Sequence, residues 1–232
     1  MGYIIGLFLI LATYACAVIF IGHLKNTRLW NPVFILAVVS LYLASMITIY
    51  RSVGFDDWNF QNTLPTANVS PFMFTLAPLT YLFPKKIRKH LYLLVTLLSV
   101  GMLISPVFNC LYNYSINYAF HIHFFYDYIA HAILSLWGVY MLRSEQVELN
   151  VKNALISSSV IIGVAAVMMS LNVIFDKAFF GLSLNGKHSI YNNVLTDNSY
   201  LSALLYFTGL CGVLALGYGY SLLIKRLHRK EK

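Results

Sequence analysis

Seven long apolar runs dominate the sequence, and they constrain the fold more than any other feature. Each has about 20 residues, enough for an α-helix to cross a hydrocarbon core about 30 Å thick. A helix satisfies its own backbone hydrogen bonds in lipid, which an open strand does not. With 10% charged residues against 59% hydrophobic ones, a soluble domain is excluded. The runs lie near residues 3–22, 31–50, 64–83, 91–110, 124–142, 154–175 and 199–223.

The positions of the basic residues predict which way the runs cross. Thirteen of the 16 Lys and Arg residues fall in the connections after the first, third, fifth and seventh runs. The positive-inside rule therefore places the N-terminus outside and the C-terminus in the cytoplasm. We expect the basic run Lys85–His90 to contact anionic lipid. The sequence thus predicts an all-α fold, one integral membrane domain over residues 1–232 that forms a seven-helix bundle. Short loops favour the bacterial cytoplasmic membrane, crossed several times.

Polar residues within the runs gather at the ends that are predicted to face outside. Such groups are costly in lipid, so each is a candidate site residue. By the same topology, the cytoplasmic halves are expected to be nearly pure hydrocarbon. The longest connection, Asp176–Tyr200, mixes polar and apolar residues and is expected to cover the outer end of the bundle. The outer polar residues are Asn68, Ser70, Asn109, Asp127, His131 and Asn172.

The spacing of Asp127 and His131 carries the clearest chemistry. Residues four apart share one face of a helix, and His123 continues the stripe if the helix starts early enough. A carboxylate beside an imidazole orients the ring and raises its basicity, which suits general acid–base catalysis. The same face would suit a metal with His121 or His123, but no second ligand cluster has suitable spacing, so no metal is predicted. A structural tie between helices explains the pair equally simply.

No cofactor is predicted, because the sequence contains no nucleotide, flavin or zinc-protease motif. The cysteines Cys16, Cys110 and Cys211 show no metal-binding spacing, and we expect them to be buried free thiols. Membrane lipids are the expected partners, and nucleic acid is not, because the positive charge follows the membrane topology. The oligomeric state stays open.

Short motifs along most of the chain resemble a known family. They are Leu64-Pro65, the basic turn after Pro84, Pro106, the stretch Phe125–His131, and Asn172 before the long connection. This pattern is similar to the YwaF-like family of bacterial integral membrane proteins, which is related to the animal transmembrane protein 164 acyltransferases.

The resemblance implies a seven-helix fold and, in the animal members, acyl transfer on lipids by a cysteine and a histidine of the third helix. Here Ala67 and Val69 stand at those two positions. His131 is the residue that carries over. Ser70, activated by His131, is the substitute nucleophile that this sequence offers.

Two functions remain open. The first is an enzyme, an acyltransferase or lipid hydrolase working from the outer leaflet, with His131 as base, Asp127 as its orienting partner and Ser70 as nucleophile. The second is a protein without enzymatic activity that binds or transports lipids or small solutes through an outward-facing polar vestibule. In either case the predicted substrate contacts are Asn68, Asn109, Asn172 and His123.

Overall fold

Seven helices make up the described part of this computed structural model, which covers residues 2–21, 24, 29–53, 69–112, 122–175, 180 and 199–231. No strand occurs among these residues. A 3-10 turn, Thr80–Leu82, follows the third helix. The helices are α1 Gly2–Ile21, α2 Trp30–Val53, α3 Val69–Leu79, α4 Lys85–Tyr112, α5 Ile122–Arg143, α6 Val151–Phe175 and α7 Ser199–Glu231.

Within the described residues, four helices contain stretches that are long and apolar enough to cross a membrane. Shorter apolar stretches occupy Leu11–Ile21 and Val69–Leu82. Large apolar side chains also cover much of the surface: Phe8 is 70% exposed and Leu82 is 79% exposed. A surface of this kind is stable in hydrocarbon and not in water. The four long stretches are Trp30–Ile47, Lys85–Ile104, Val151–Phe175 and Ala203–Leu227.

The fourth helix is the central helix of the group formed by α4, α5, α6 and α7. All nine residues of Leu91–Ser99 are buried, although successive side chains on a helix point in different directions. Neighbours must therefore surround this segment, and α4 does pack against α5, α6 and α7. On the far side of α5, α2 packs against α5 and α3, and α1 packs against α5.

Two glycines let neighbouring helices approach α4 closely. A Cβ atom on Gly217 of α7 would lie 1.7 Å from the carbonyl oxygen of Leu97, and one on Gly138 of α5 would lie 3.0 Å from the Cα atom of Thr96. The Thr96 hydroxyl donates a hydrogen bond to the Gly138 carbonyl at 3.2 Å. Small residues and hydroxyl groups hold membrane helices together in this way, since lipid provides no hydrophobic force between them.

Specific contacts establish the relative directions of two helix pairs. In the α4–α7 pair, Leu97 meets Gly217 and Gly101 meets Val213, so the two helices are antiparallel. Asn31, at the start of α2, bonds to Gln146, just after the end of α5. Further along α2, Tyr42 contacts Phe74, which also contacts His131, earlier in α5. Helices α2 and α5 are therefore antiparallel as well.

The basic run before the fourth predicted span is helical and performs a local structural role. Helix α4 begins at Lys85, directly after Pro84. Arg88 turns back to the end of α3, where its guanidinium donates hydrogen bonds to the carbonyls of Thr80 at 3.0 Å, Tyr81 at 2.8 Å and Phe83 at 3.0 Å. The last carbonyls of a helix lack intrahelical donors, and a basic side chain satisfies them.

The described cysteines lie on the surface of the bundle, which corrects one expectation. Cys16 and Cys211 are free, as predicted, but both are exposed. A thiol behaves as a small apolar group, so a hydrocarbon-facing surface accommodates it as well as a core does. The side chain of Cys110 lies outside the described part.

Candidate functional site

Helices α3 and α5 meet through an aromatic contact at the predicted base. The rings of Phe74 and His131 are perpendicular within a few degrees (83°), with centroids 4.9 Å apart. His131 is 4% exposed and Phe74 is 2% exposed. An edge-to-face arrangement of this kind is favourable and directional, so Phe74 restricts the orientation of the imidazole ring.

The two helices run in the same direction beside this contact. The end of α3 lies beside the start of α4, where Arg88 donates a hydrogen bond to the Thr80 carbonyl, and Tyr92 follows Arg88 by one helical turn. Tyr92 in turn packs on Trp137, further along α5, with ring centroids 5.7 Å apart. Because Phe74 meets His131 earlier in both helices, α3 and α5 are parallel.

Parallel helices bring the other two predicted catalytic residues to one level. Ser70 precedes Phe74 by four residues, and Asp127 precedes His131 by four, so each lies one turn, about 6 Å, nearer the start of its helix. Ser70 is half-buried and shares the α3 face that carries Phe74. The side chain of Asp127 lies outside the described part. The structure thus brings the Ser70 face of α3 to the His131 helix.

A residue from the long connection packs onto the same part of α3. Phe180 is fully buried, and its ring centroid lies 5.9 Å from that of Phe72. Its φ angle is 57°, a left-handed conformation that costs a bulky residue about 1–3 kcal/mol. Burial of the ring offsets this cost. At Phe180, the connection packs against α3. The rest of Asp176–Tyr200, apart from its two last residues, lies outside the described part, so its covering of the outer end stays a prediction.

Of the predicted substrate contacts, only Asn172 has a described side chain. Asn172 is buried, at 3% exposure, on α6, which packs mainly against α4 and α7 in the described part of the chain. The packing of its helix on α4 and α7 neither joins Asn172 to the Phe74–His131 pair nor separates it from that pair. Asn109 lies on α4 and His123 on α5, but their side chains lie outside the described part, and so does the whole of Asn68.

A cluster of hydroxyl groups occupies the half of the bundle that was expected to be nearly pure hydrocarbon. The Tyr14 hydroxyl lies 2.8 Å from the Ser135 hydroxyl and 3.3 Å from the Tyr220 hydroxyl, which joins α1, α5 and α7. The expectation was wrong because a count of charged and amide residues overlooks Ser and Tyr. The sequence did contain a sign of this cluster: Ser135 follows His131 by four residues and so lies on the same face of the helix.

A second buried network ties the start of α2 to the end of α5. The indole nitrogen of Trp137 donates to the Asn31 side-chain oxygen at 3.0 Å. The Asn31 amide donates to the side-chain oxygen of Gln146. The Gln146 amide donates to the Ser144 hydroxyl at 2.8 Å. Asn31 and Ser144 are buried, and Ser144 and Gln146 lie just beyond the predicted fifth span. The network therefore closes the end of the bundle that is predicted to face the cytoplasm.

The site therefore consists of a buried imidazole, oriented by an aromatic ring, with a hydroxyl-bearing face of a parallel helix beside it. Neutral imidazole accepts a proton and imidazolium returns it, which is the requirement for general acid–base work. A hydroxyl group is the nucleophile that such a base activates in acyl transfer. The described geometry places a buried imidazole beside a helix face that carries a hydroxyl group, an arrangement that suits proton transfer.

Comparison with known proteins assigns the chain to a family. The model of the TMEM164 family matches residues 2–218, which includes six of the helices and more than half of the seventh. Neither a search of curated proteins nor one of solved structures gives a match. The relation to transmembrane protein 164 that the short motifs indicated is confirmed, and the bacterial YwaF-like subgroup stays a prediction. The chain belongs to the TMEM164 family.

Proposed function

We propose that the protein crosses a bacterial cytoplasmic membrane seven times, with its N-terminus outside and its C-terminus in the cytoplasm. The distribution of 13 of the 16 basic residues supports this orientation. The antiparallel pairs α2–α5 and α4–α7 support it too, because an alternating bundle requires both. Helix α5 is shielded by its neighbours, so its polar residues need not contact lipid.

We further propose that the protein is an acyltransferase-like enzyme that acts on a lipid ester from the outer leaflet. His131 is the general base, Asp127 orients it, and Ser70 is the nucleophile. The observation that carries the proposal is the contact between Phe74 and His131, which aligns the Ser70 face of α3 with the His131 stripe of α5. Family membership supports a lipid substrate, through the activity implied by the resemblance to the animal proteins.

The proposed chemistry uses Ser70 in place of the family's cysteine. The Ser70 hydroxyl attacks the ester carbonyl while His131 takes its proton, and the lysolipid leaves as the proton returns to its oxygen. The acyl group then passes from Ser70 to a second lipid hydroxyl or to water. Because Ser70 and His131 differ in level by about 6 Å along the helices, a bridging water or substrate group completes the proton path. In this proposal, Asn68, Asn109, Asn172 and His123 contact the substrate around the outer ends of the helices.

Lipidomics of cells that carry defined variants tests the enzymatic proposal. We expect His131→Ala and His131→Gln to abolish the change in acyl composition that the wild-type protein produces, and Ser70→Ala to do the same. His90→Gln is the matched control, since His90 lies on α4 near its start, far along the bundle from the site. Immunoblotting of membranes checks that every variant is present in equal amount. Equal acyl profiles in wild type and His131→Gln, at equal abundance, contradict the proposal.

A second candidate function is non-enzymatic binding or transport of lipids or small solutes. The Tyr14–Ser135–Tyr220 cluster favours it, because it continues the polar stripe of α5 beyond His131. The two functions differ in which residues they need. The protein is a transporter if labelled lipid crosses proteoliposome membranes more slowly with Tyr14→Phe than with wild type, and if neither protein alters the acyl profile of cells. An acyl profile that depends on His131 and not on Tyr14 identifies the enzyme.

A further inference from the structure

A narrow apolar cleft of about 260 Å³ lies between α6 and α7, away from the His131 site. One face of α6, from Val151 to Ile162, forms one wall, and one face of α7, from Cys211 to Tyr218, forms the other. Leu97 of the central helix contributes to the lining between them. Helices α6 and α7 pack more closely on α4 than on each other, which leaves the cleft open along the surface of the bundle.

The α6 wall of the cleft is about as long as one membrane leaflet is thick. From Val151 to Ile162, α6 rises about 16 Å, which is about half of a hydrocarbon core about 30 Å thick. The walls are apolar, and several of their residues are exposed, including Leu155 at 67%. A lipid acyl chain is the apolar, flexible molecule that such a surface meets in a membrane.

Positive charge lies at one end of the cleft. Val151 is the first residue of α6, and the next residue, Lys152, is exposed. The starts of α4 and α6 are neighbours there, since His90 Nδ1 lies 3.4 Å from the Ser157 hydroxyl. The exposed Lys89 immediately precedes His90. The nearby carboxylate of Glu148 accepts a hydrogen bond from the Asn150 amide and keeps its negative charge, so Lys152 and Lys89 outnumber it by one.

We propose that the α6–α7 cleft binds one anionic glycerophospholipid. One acyl chain lies along the cleft, and the phosphate lies at the α6 start, where Lys152 and Lys89 attract it. In the orientation proposed above, this lipid belongs to the cytoplasmic leaflet, whereas the His131 site faces the outer one. The assignment of the leaflet therefore rests on the proposed topology, and the binding itself does not.

Native mass spectrometry of the protein released from nanodiscs tests the proposal. The probes are phosphatidylglycerol and phosphatidylcholine with the same acyl chains, in equal amounts. We expect wild type to retain one phosphatidylglycerol. Ala215→Phe places a ring in the cleft and should weaken retention about tenfold, since two displaced methylene groups at about 0.8 kcal/mol each amount to about a factor of ten. Ala166→Phe, on an exposed position of α6 outside the cleft, is the matched control and should behave as wild type.

A charge variant tests the headgroup part of the proposal. Lys152→Gln should reduce the preference for phosphatidylglycerol over phosphatidylcholine about fivefold, since one basic residue near a lipid surface contributes about 1 kcal/mol. Equal retention of both lipids by wild type, or unchanged retention in Ala215→Phe, overturns the proposal. The proposal is also overturned if wild type is a dimer and Ala215→Phe separates the two copies without loss of lipid. In that case a second copy of the chain, and not a lipid, occupies the cleft. Lipid retention in His131→Gln should equal wild type, so this proposal and the enzymatic one fail separately.

Discussion

Small residues decide how closely the helices of this bundle approach one another. Gly217 and Gly138 stand where α7 and α5 touch the central helix, and both face its backbone or the base of a side chain. Polar residues act at the same scale. Tyr14, Ser135 and Tyr220 satisfy one another inside the bundle, so each helix that carries one has a fixed rotation about its axis. Individual side chains thus specify contacts that a uniformly apolar surface leaves undetermined.

The first residue-scale prediction concerns Gly217→Ala. Its new Cβ atom would lie 1.7 Å from the Leu97 carbonyl oxygen, so α7 has to move away from α4. We expect a loss of about 1–3 kcal/mol in the free energy of unfolding, measured by denaturation in detergent micelles. Gly219→Ala is the control, two residues along the same helix, where a Cβ atom meets nothing within 4 Å. A Gly217→Ala protein as stable as the Gly219→Ala protein would show that α7 does not approach α4 this closely.

The second residue-scale prediction concerns the Trp137–Asn31–Gln146 network. Asn31→Leu leaves the buried indole N–H of Trp137 without its acceptor and should cost about 1–3 kcal/mol in unfolding free energy. Trp137→Phe removes that donor, so the double variant should be less destabilised than the sum of the single variants. A double-mutant cycle measures this coupling, which we expect to be about 0.5–3 kcal/mol. Additive effects of the two substitutions would contradict the network.

At the scale of the element, hydropathy predicts well where the helices lie in the sequence, but it predicts poorly which helices pack against each other. Lipid forces every spanning segment to satisfy its own backbone, so the apolar runs reveal the helices from sequence alone. The position of α4 at the centre was not predictable in this way, because a leucine that faces lipid and one that faces a helix are the same residue. Leu97 in the core and Leu155 on the surface illustrate this. The small residues Gly138 and Gly217 indicate the faces that contact α4 better than hydropathy does.

The site shows the same division between what the sequence predicts and what it leaves open. The i, i+4 spacing indicated His131 as a candidate, since an ionisable residue stands out against an apolar background. Its partner Phe74 did not stand out, because it is one of 16 phenylalanines. Contacts between two helices depend on the rotation of each about its axis and on their relative shift along that axis. The hydropathy pattern predicts neither quantity. The packing of α6, the helix of Asn172, on α4 and α7 needed the folded structure for the same reason.

The element-scale prediction separates helix capping from membrane topology. Arg88→Gln and Lys86→Gln remove one positive charge each from the same turn. If the run acts through charge alone, the two variants behave alike. Arg88 donates hydrogen bonds to three carbonyls at the end of α3, so we expect Arg88→Gln to lose about 1 kcal/mol or more in the free energy of unfolding. The Lys86 side chain is exposed, so Lys86→Gln should lose little. Equal unfolding midpoints for the two proteins would show that capping by Arg88 contributes nothing.

At the scale of the whole molecule, the bundle has two unlike ends. One end carries the basic starts of α4 and α6 and the basic final turns of α7. At the other end, Ser70 stands at the start of α3, and Phe180 is buried against that helix. The proposed enzyme site and the proposed lipid cleft therefore lie towards opposite membrane surfaces, and each meets a different leaflet.

The molecule-scale prediction concerns this orientation. Fusion of green fluorescent protein to the C-terminus should give fluorescent cells, and fusion of alkaline phosphatase at the same point should give no activity, because the phosphatase works outside the cytoplasm. The same phosphatase fused within the connection after α6 should be active, since an odd number of crossings separates it from the C-terminus. An active C-terminal phosphatase fusion would contradict the proposed topology and would place the cleft lipid in the opposite leaflet.

The close contact between α4 and α7 has a consequence for how the molecule is made. Leu97 and Gly217 are distant along the chain, and a ribosome that adds about 5–20 residues per second needs roughly 6–24 s to pass from one to the other. During that interval the central helix is in the membrane with the face that later receives α7 still uncovered. Its exposed Gly101 and Leu97 positions are then available to lipids, to other nascent chains or to a membrane chaperone. Insertion of the last helix ends this period, so the speed of synthesis over α5 and α6 determines how long the unfinished protein is vulnerable.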